Sequence, residues 1–232
     1  MDVTELLATQ RDVEGLDLSE MALTDVLAAE PYRFVNCDLR RADLSEAVLV
    51  GCVFDRCALD GADFRGADLD GARFDGGGGA DLRFLNAELT DAVFVNADLS
   101  SARFGNALLT DVSFTGCRMI GATLTGTRGT PFTLSRSNLT LADVSGCSFR
   151  KQEIEGVRFD EANLSGCDFT DAVLTDCRII RARLVNTTFT RTDLRGTDLG
   201  QPDDRDLRSL AGAVITSGQA AAILTDRGLT VL

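Results

Sequence analysis

Ala62-Asp63-Phe64-Arg65-Gly66-Ala67-Asp68-Leu69-Asp70-Gly71 is one five-residue unit written twice. A small residue comes first, an acidic residue second, Phe or Leu third, and two polar or small residues complete the unit. Counted by fives from Phe34 to Leu199, the third positions never leave phase, and all but Gly79 and Gly129 are Leu, Phe, Ile, Val or Met. Self-similarity at a short fixed period marks a repeat architecture, so the 232 residues are read as one elongated body rather than as globular domains.

A period of five fits neither the 3.6 of an α-helix nor the 2 of a strand. If each unit is one side of a square and four sides make a coil, residues twenty apart must stack. The phenylalanines obey this test: Phe34, Phe54, Phe74, Phe94 and Phe114 fall in one column, Phe64, Phe84 and Phe104 in a second, and Phe149, Phe169 and Phe189 in a third. The predicted fold is all-β, a quadrilateral β-helix of about ten coils and roughly 48 Å at the spacing of paired strands. Its interior holds Leu and Phe, with Ala or Cys beside them, and Gly at the fifth position suits tight corners. Phe132 is the one phenylalanine outside the central position.

Residues 1–32 are expected to form a cap and an imperfect set of repeats centred on Val13, Leu18 and Leu23. A short helix within Met1 to Gln10, with Asp2 or Thr4 as N-cap, would precede them. The phase slips by one residue around Ala28 to Pro31. Residues 33–201 are the regular array, interrupted without loss of phase at Gly76 to Gly79 and at Thr127 to Pro131, each a degenerate side or a small excursion. Residues 202–232 supply last sides at Leu210 and Ile215. A helix capped by Thr216 or Ser217 and stopped by Gly228 follows, and Leu229 to Leu232 read as an apolar strand.

The chain has no His and no Trp, which removes histidine catalysis and ligation. A net charge of −13 argues against nucleic-acid and anionic-membrane binding and suits a basic partner. No stretch is long and apolar enough to span a bilayer, and the first residues lack the pattern of a signal peptide, so the cytoplasm is the expected compartment. Cys37, Cys52, Cys57, Cys117, Cys147, Cys167 and Cys177 all occupy the small first position, so they read as buried apolar residues rather than disulfide or zinc partners. Ser148-Phe149-Arg150-Lys151 matches S-x-x-K by chance, because Phe149 must point inward and the partner motifs are absent. The glycines at 76–79 lack the Lys-Ser or Lys-Thr of a phosphate loop. No catalytic residue, metal ligand or cofactor site is expected.

Charge is unevenly spread, with about −7 on residues 1–32, −5 on the array and −1 beyond it. Within the array Asp68, Asp70, Glu88, Asp91 and Asp111 fall on the fourth side of successive coils, either a partner-binding face or an ordinary solvated one.

From about Leu16 to Ile215 the repeat resembles the pentapeptide-repeat family, whose members fold as right-handed quadrilateral β-helices. Gln219-Ala220-Ala221-Ala222-Ile223-Leu224 with Gly228-Leu229-Thr230-Val231 resembles the ending of its Qnr-type quinolone-resistance members. That resemblance implies a two-fold dimer through Ala220, Ile223, Leu224, Leu229 and Val231. It also implies an acidic, DNA-like rod that engages DNA gyrase or topoisomerase IV and protects it from poisons. Projecting loops like those of Gram-negative Qnr proteins have only Gly76 to Gly79 as a counterpart here. The alternative role is a structural or adaptor solenoid binding another protein.

Overall fold

The structure, a computed structural model, describes residues 3–231. Helix α1 (Val3–Thr9) precedes ten short strands: β1 (Asp12–Glu14), β2 (Arg33–Val35), β3 (Val53–Asp55), β4 (Arg73–Asp75), β5 (Val93–Val95), β6 (Ser113–Thr115), β7 (Thr133–Ser135), β8 (Glu153–Glu155), β9 (Val173–Arg178) and β10 (Asp193–Asp198). Helices α2 (Asp204–Ser209) and α3 (Ser217–Asp226) end the chain. The strands pair in parallel in sequence order, and Phe34↔Phe54, Phe54↔Phe74, Phe74↔Phe94 and Phe94↔Phe114 are direct neighbours. These strands form the first side of each coil. The other three sides pair through single bridges at the same spacing, such as Asp38↔Ala58, Asp43↔Asp63 and Asp68↔Glu88. The expected four-sided β-helix is therefore the fold, and ten strands at about 4.8 Å per rung give a rod of roughly 43 Å.

Apart from Gly129, the central residues of the array are buried, in one cluster that runs from Leu7 to Leu199. The ring columns are real stacks: Phe74 and Phe94 lie 4.6 Å apart at 6°, and Phe84 meets Phe94 edge-on at 5.9 Å. Offset stacking along a column and edge-to-face contact between columns are the two favourable arrangements of aromatic quadrupoles. All seven cysteines are buried and unpaired. Burial pushes the thiols of Cys117 and Cys147 up to about 11 and that of Cys167 to about 12, which keeps them protonated.

Two backbone devices explain the rest of the repeat. The second-position Asp or Asn accepts the N–H two residues on, as in Asp38 to Arg40, Asp98 to Ser100 and Asn138 to Thr140. This Asx turn holds each side's exit into the corner. The fifth position then takes a left-handed conformation, for example φ 50° at Asn36 and 67° at Gly116. At Gly116 glycine adopts this conformation without strain, and a Cβ there would require the side chain of Asn96 to move aside.

The glycine run at 76–79 does not project. Gly76, Gly78 and Gly79 donate to Val95, Cys57 and Asp98 within the ladder, and a Cβ at Gly78 would lie 2.3 Å from the carbonyl oxygen of Asp98. The run is a drawn-in side, which rules out the excursion. At Thr127 to Pro131 the wall does open. A Cβ at Gly129 would run into Thr110 and Leu108, and Thr130 Oγ1 exchanges hydrogen bonds with Asp111. Pro131 has no N–H to give the coil below. The rungs that would join Thr127 and Gly129 to Ser148 are missing among the described residues, leaving a cavity of about 370 Å³. Phe132 sits in the small first position and is 4 % exposed, filling the interior that Gly129 vacates.

The N-terminal end is closed by α1. Tyr32 Oη donates to the Leu7 carbonyl at 2.9 Å and accepts the Ala28 N–H, while the Arg11 guanidinium covers its ring at 4.8 Å. Thr4 lies inside α1 rather than capping it, and Asp2 lies outside the described residues. The phase slip is present, since Val13 pairs with Phe34 across twenty-one residues. At the other end the side expected after Leu199 is helical: Asp203 and Asp206 form a reciprocal capping box that starts α2. Ser209 Oγ then donates to the Leu184 carbonyl. Val214 restores pairing with Asp193, and Leu210 and Ile215 pack against the core. Residues Leu229 to Val231 form no strand, because among the described residues no strand lies there to pair with them; Leu232 lies outside the described residues.

Candidate partner-binding site

The fourth side carries, in order along the rod, Val48 and Val50, then Asp68, Asp70, Glu88, Asp91 and Asp111, then Arg128, Arg150 and Lys151, then Asp168 and Asp171, and last Arg191. Bridges Val48↔Asp68, Asp68↔Glu88 and Glu88↔Leu108 place the first of these on adjacent rungs. Asp91 and Asp111 stand one above the other at the following corner, both with left-handed backbone. Asp70, Glu88, Asp91 and Asp111 are exposed and Asp68 is half-buried. All five expected residues are thus brought to one surface.

Their partners distinguish them from most other acids of the array. Asp63 is held by Arg65 at 2.6 Å, Asp75 by Arg73 at 2.8 Å and Asp171 by Arg191 at 2.6 Å. No guanidinium or ammonium lies within ion-pair distance of Asp68, Asp70, Glu88, Asp91 or Asp111 among the described residues. Asp68 accepts the Asp70 N–H, and Asp111 accepts the Thr130 hydroxyl. Carboxylates on adjacent rungs about 4.8 Å apart repel one another. A ligand bearing cations relieves that repulsion.

From the open seam onward the same side carries four cations, Arg128, Arg150, Lys151 and Arg191, against Asp168 and Asp171, and its net charge turns positive. Arg150 reaches Asp168 at 3.4 Å and Asp171 at 4.0 Å, whereas Arg128 and Lys151 have no carboxylate partner among the described residues. Sequence reasoning found the acids and passed over these bases, although the same count by twenties places them. The acidic stretch covers only three rungs, flanked by exposed valines on one side and cations on the other.

At the C-terminal end α3 is seated by its own cap. Thr216 and Gln219 form a capping box, and Nε2 of Gln219 donates to the carbonyls of Leu194 at 2.9 Å and Thr197 at 2.7 Å. After Arg227, Gly228 takes φ 78° and donates to the Thr225 carbonyl, while Leu229 donates to the Leu224 carbonyl. This Schellman arrangement returns Leu229 to the level of Leu224. Ala220 and Ile223 are half-buried, and Leu224, Leu229 and Val231 are exposed by 42 %, 56 % and 45 %. The five expected dimer residues therefore divide into two turned partly inward and three facing solvent. Among the described residues no helix is long and apolar enough to cross a membrane.

Comparison with known proteins bears on the fold. A family model described as pentapeptide repeats matches in eight copies, over residues 37–76, 87–126, 133–171, 153–191 and 167–201. Among solved structures, full-length QnrB1, a plasmid-mediated fluoroquinolone resistance protein, is similar with a TM-score of 0.66 and 22 % identity, over 94 % of this chain and 100 % of that one. A trypsin-treated variant of QnrB1 gives 0.63 and 24 %, over 95 % and 97 %. At this identity the likeness is one of fold. Curated protein sequences give no match.

Proposed function

As the chain belongs to the pentapeptide-repeat family, we propose that it is a non-enzymatic, cytoplasmic protein that binds DNA gyrase or topoisomerase IV and protects it from fluoroquinolone-type poisons. The observation that carries this reading is the group of five unpaired carboxylates on the fourth side. On this reading they take the part of the phosphates that an enzyme gripping duplex DNA contacts, and they keep their charge available because no cation among the described residues neutralises it. A fold shared with a fluoroquinolone resistance protein supports the same reading. Two copies joined through α3 and the tail double the rod to roughly 86 Å at the strand spacing.

The test is a gyrase supercoiling assay with a fluoroquinolone present, run with the intact protein and with Asp68→Asn, Asp70→Asn, Glu88→Gln and Asp91→Asn combined. Protection by the parent and its loss in the folded variant, together with a weaker salt dependence of binding, is the expected pair of results. The change of sign beyond Asp111 favours a second reading, an adaptor solenoid whose partner carries a basic patch beside an acidic one. In that case gyrase is neither bound nor protected, and the four substitutions leave its activity unaltered at every drug concentration.

A further inference from the structure

Arginines in this acidic protein are mostly spoken for. Arg33, Arg40, Arg65, Arg73, Arg191 and Arg195 each hold a carboxylate at 3.0 Å or less. Where the first side turns into the second, between the coils of β6, β7 and β8, this economy fails. A groove of about 290 Å³ is lined by Arg118, Arg136 and Arg158 over a floor that includes Gly116, Asn138 and Gly156. All three arginines are exposed. Arg118 comes only to 4.0 Å from Asp98, and Arg136 to 3.6 Å from Glu155. Arg158 has no carboxylate partner among the described residues.

The reason lies in the column. Arg118, Asn138, Arg158 and Arg178 follow one another on successive rungs of the second side. Asp160, the nearest carboxylate along the chain, is taken by Arg178 at 3.4 Å. Arg158 and Arg178 thus stand as like charges on neighbouring rungs, which is unfavourable. Asn138 adds no acceptor to the groove. Its Oδ1 is occupied by the N–H and the hydroxyl of Thr140, at 3.1 and 2.7 Å, so the group it has left to offer is its NH₂. The side chains therefore present hydrogen-bond donors and positive charge. Arg118 and Arg158 are two rungs apart, about 10 Å at the ladder spacing.

From these observations we propose that the groove is a binding site for a small oligophosphate, the di- or triphosphate chain of a soluble metabolite. A single carboxylate engages one guanidinium fork, whereas a run of phosphoryl groups engages several, and guanidinium matches phosphate in bidentate geometry. The size limit follows from charge. At −13 overall, the remaining surface repels a long polyanion, while a short one lies within the local field of the three arginines.

The test is a titration of the full-length protein with inorganic tripolyphosphate, followed by calorimetry and by the NMR signals of arginine Nε–H and asparagine NH₂ groups. Saturable binding that shifts the Asn138 NH₂ signal, about tenfold tighter than orthophosphate, is expected, since one further charge-assisted hydrogen bond corresponds to about a factor of ten. Arg158→Gln is expected to weaken binding at least tenfold, and Asn138→Asp, which puts a carboxylate in the floor, to abolish it. Arg183→Gln, on another side, leaves it intact. Adenosine triphosphate binding as tightly as tripolyphosphate supports recognition of the phosphate chain itself. Non-saturable binding, or equal affinity in the Arg158→Gln protein, overturns the site. Arg158-dependent binding of a 20-nucleotide single strand tighter than tripolyphosphate overturns the assignment to a small ligand.

Discussion

Phe94 is fully buried and touches four other rings, with Phe74 and Phe114 stacked at 4.6 and 4.9 Å and Phe84 and Phe104 edge-on at 5.9 and 6.2 Å. Its neighbours are fixed by ladders on both sides, so they cannot close on a void. Phe94→Ala is expected to cost about 3 to 5 kcal/mol, measured by urea or thermal unfolding; a variant as stable as the parent would contradict the column. The Asx turns make a second prediction at this scale. The Asp193 carboxyl is held down at about 2, first by the Arg195 side chain and then by its backbone N–H. Asp17, Asp38 and Asp168 shift the same way, led by side-chain hydrogen bonds from Ser19, Arg40 and Thr170. Folded values below the ordinary 3.8 mean that this stabilisation is complete above about pH 4 and is lost as the pH falls through about 2. Thermal midpoints followed by circular dichroism should therefore drop between pH 4 and pH 2, and a flat profile would remove the turns from the account.

At the scale of the element, the twenty-residue columns were legible because a buried centre admits few residue types and the period leaves no freedom of register. Segments that depart from the repeat were legible only where a local signal stood alone. Thr216, Gln219 and Gly228 announced α3, since a cap and a stop flank an alanine-rich run. Asp203 and Asp206 started α2 with an acid where Glu or Gln is the usual partner, and the phase arithmetic of Leu210 concealed a helix behind an expected side. The tail at Leu229 to Val231 reads as a strand by composition, but a strand requires a neighbour, and composition does not supply one. Gln219 is where the element can be tested. Gln219→Ala removes half the capping box and leaves the carbonyls of Leu194 and Thr197 without their donor. A loss of about 1 to 2 kcal/mol and faster hydrogen exchange confined to α3 are expected. An unchanged exchange pattern would show that the helix is held some other way.

At the scale of the molecule, the two ends differ. The first coil is sealed by α1 and Tyr32, whereas α3 leaves Leu224, Leu229 and Val231 exposed in one short segment. Apolar residues gathered at the end of a rod favour a second copy about a two-fold axis, which covers both ends at once. Removing residues 217–232 is expected to convert dimers to monomers or aggregates and to abolish gyrase protection, with the N-terminal coils still folded by circular dichroism. Light scattering that finds the intact protein monomeric at micromolar concentration would leave α3 as an intramolecular lid. The acids of the candidate face were legible from the same count that places the fold, because the face is the fold's own column. Their lack of internal partners was not, since it depends on where each arginine side chain turns.

The open seam at Thr127 to Pro131 has a mechanical consequence. A β-helix resists bending because every side is laced to the next coil, and its stiffness is set by the weakest lacing. Here one wall loses its rungs while the interior is bridged by a single ring, Phe132, which meets Phe114 and Phe149 edge-on instead of in a stack. The other three walls stay paired across the seam, so bending is expected to concentrate at this one wall, with the acidic stretch on one side of it and Arg150, Lys151 and Arg191 on the other. A load applied to the two ends is therefore taken up at this joint before it reaches the stacked cores on either side.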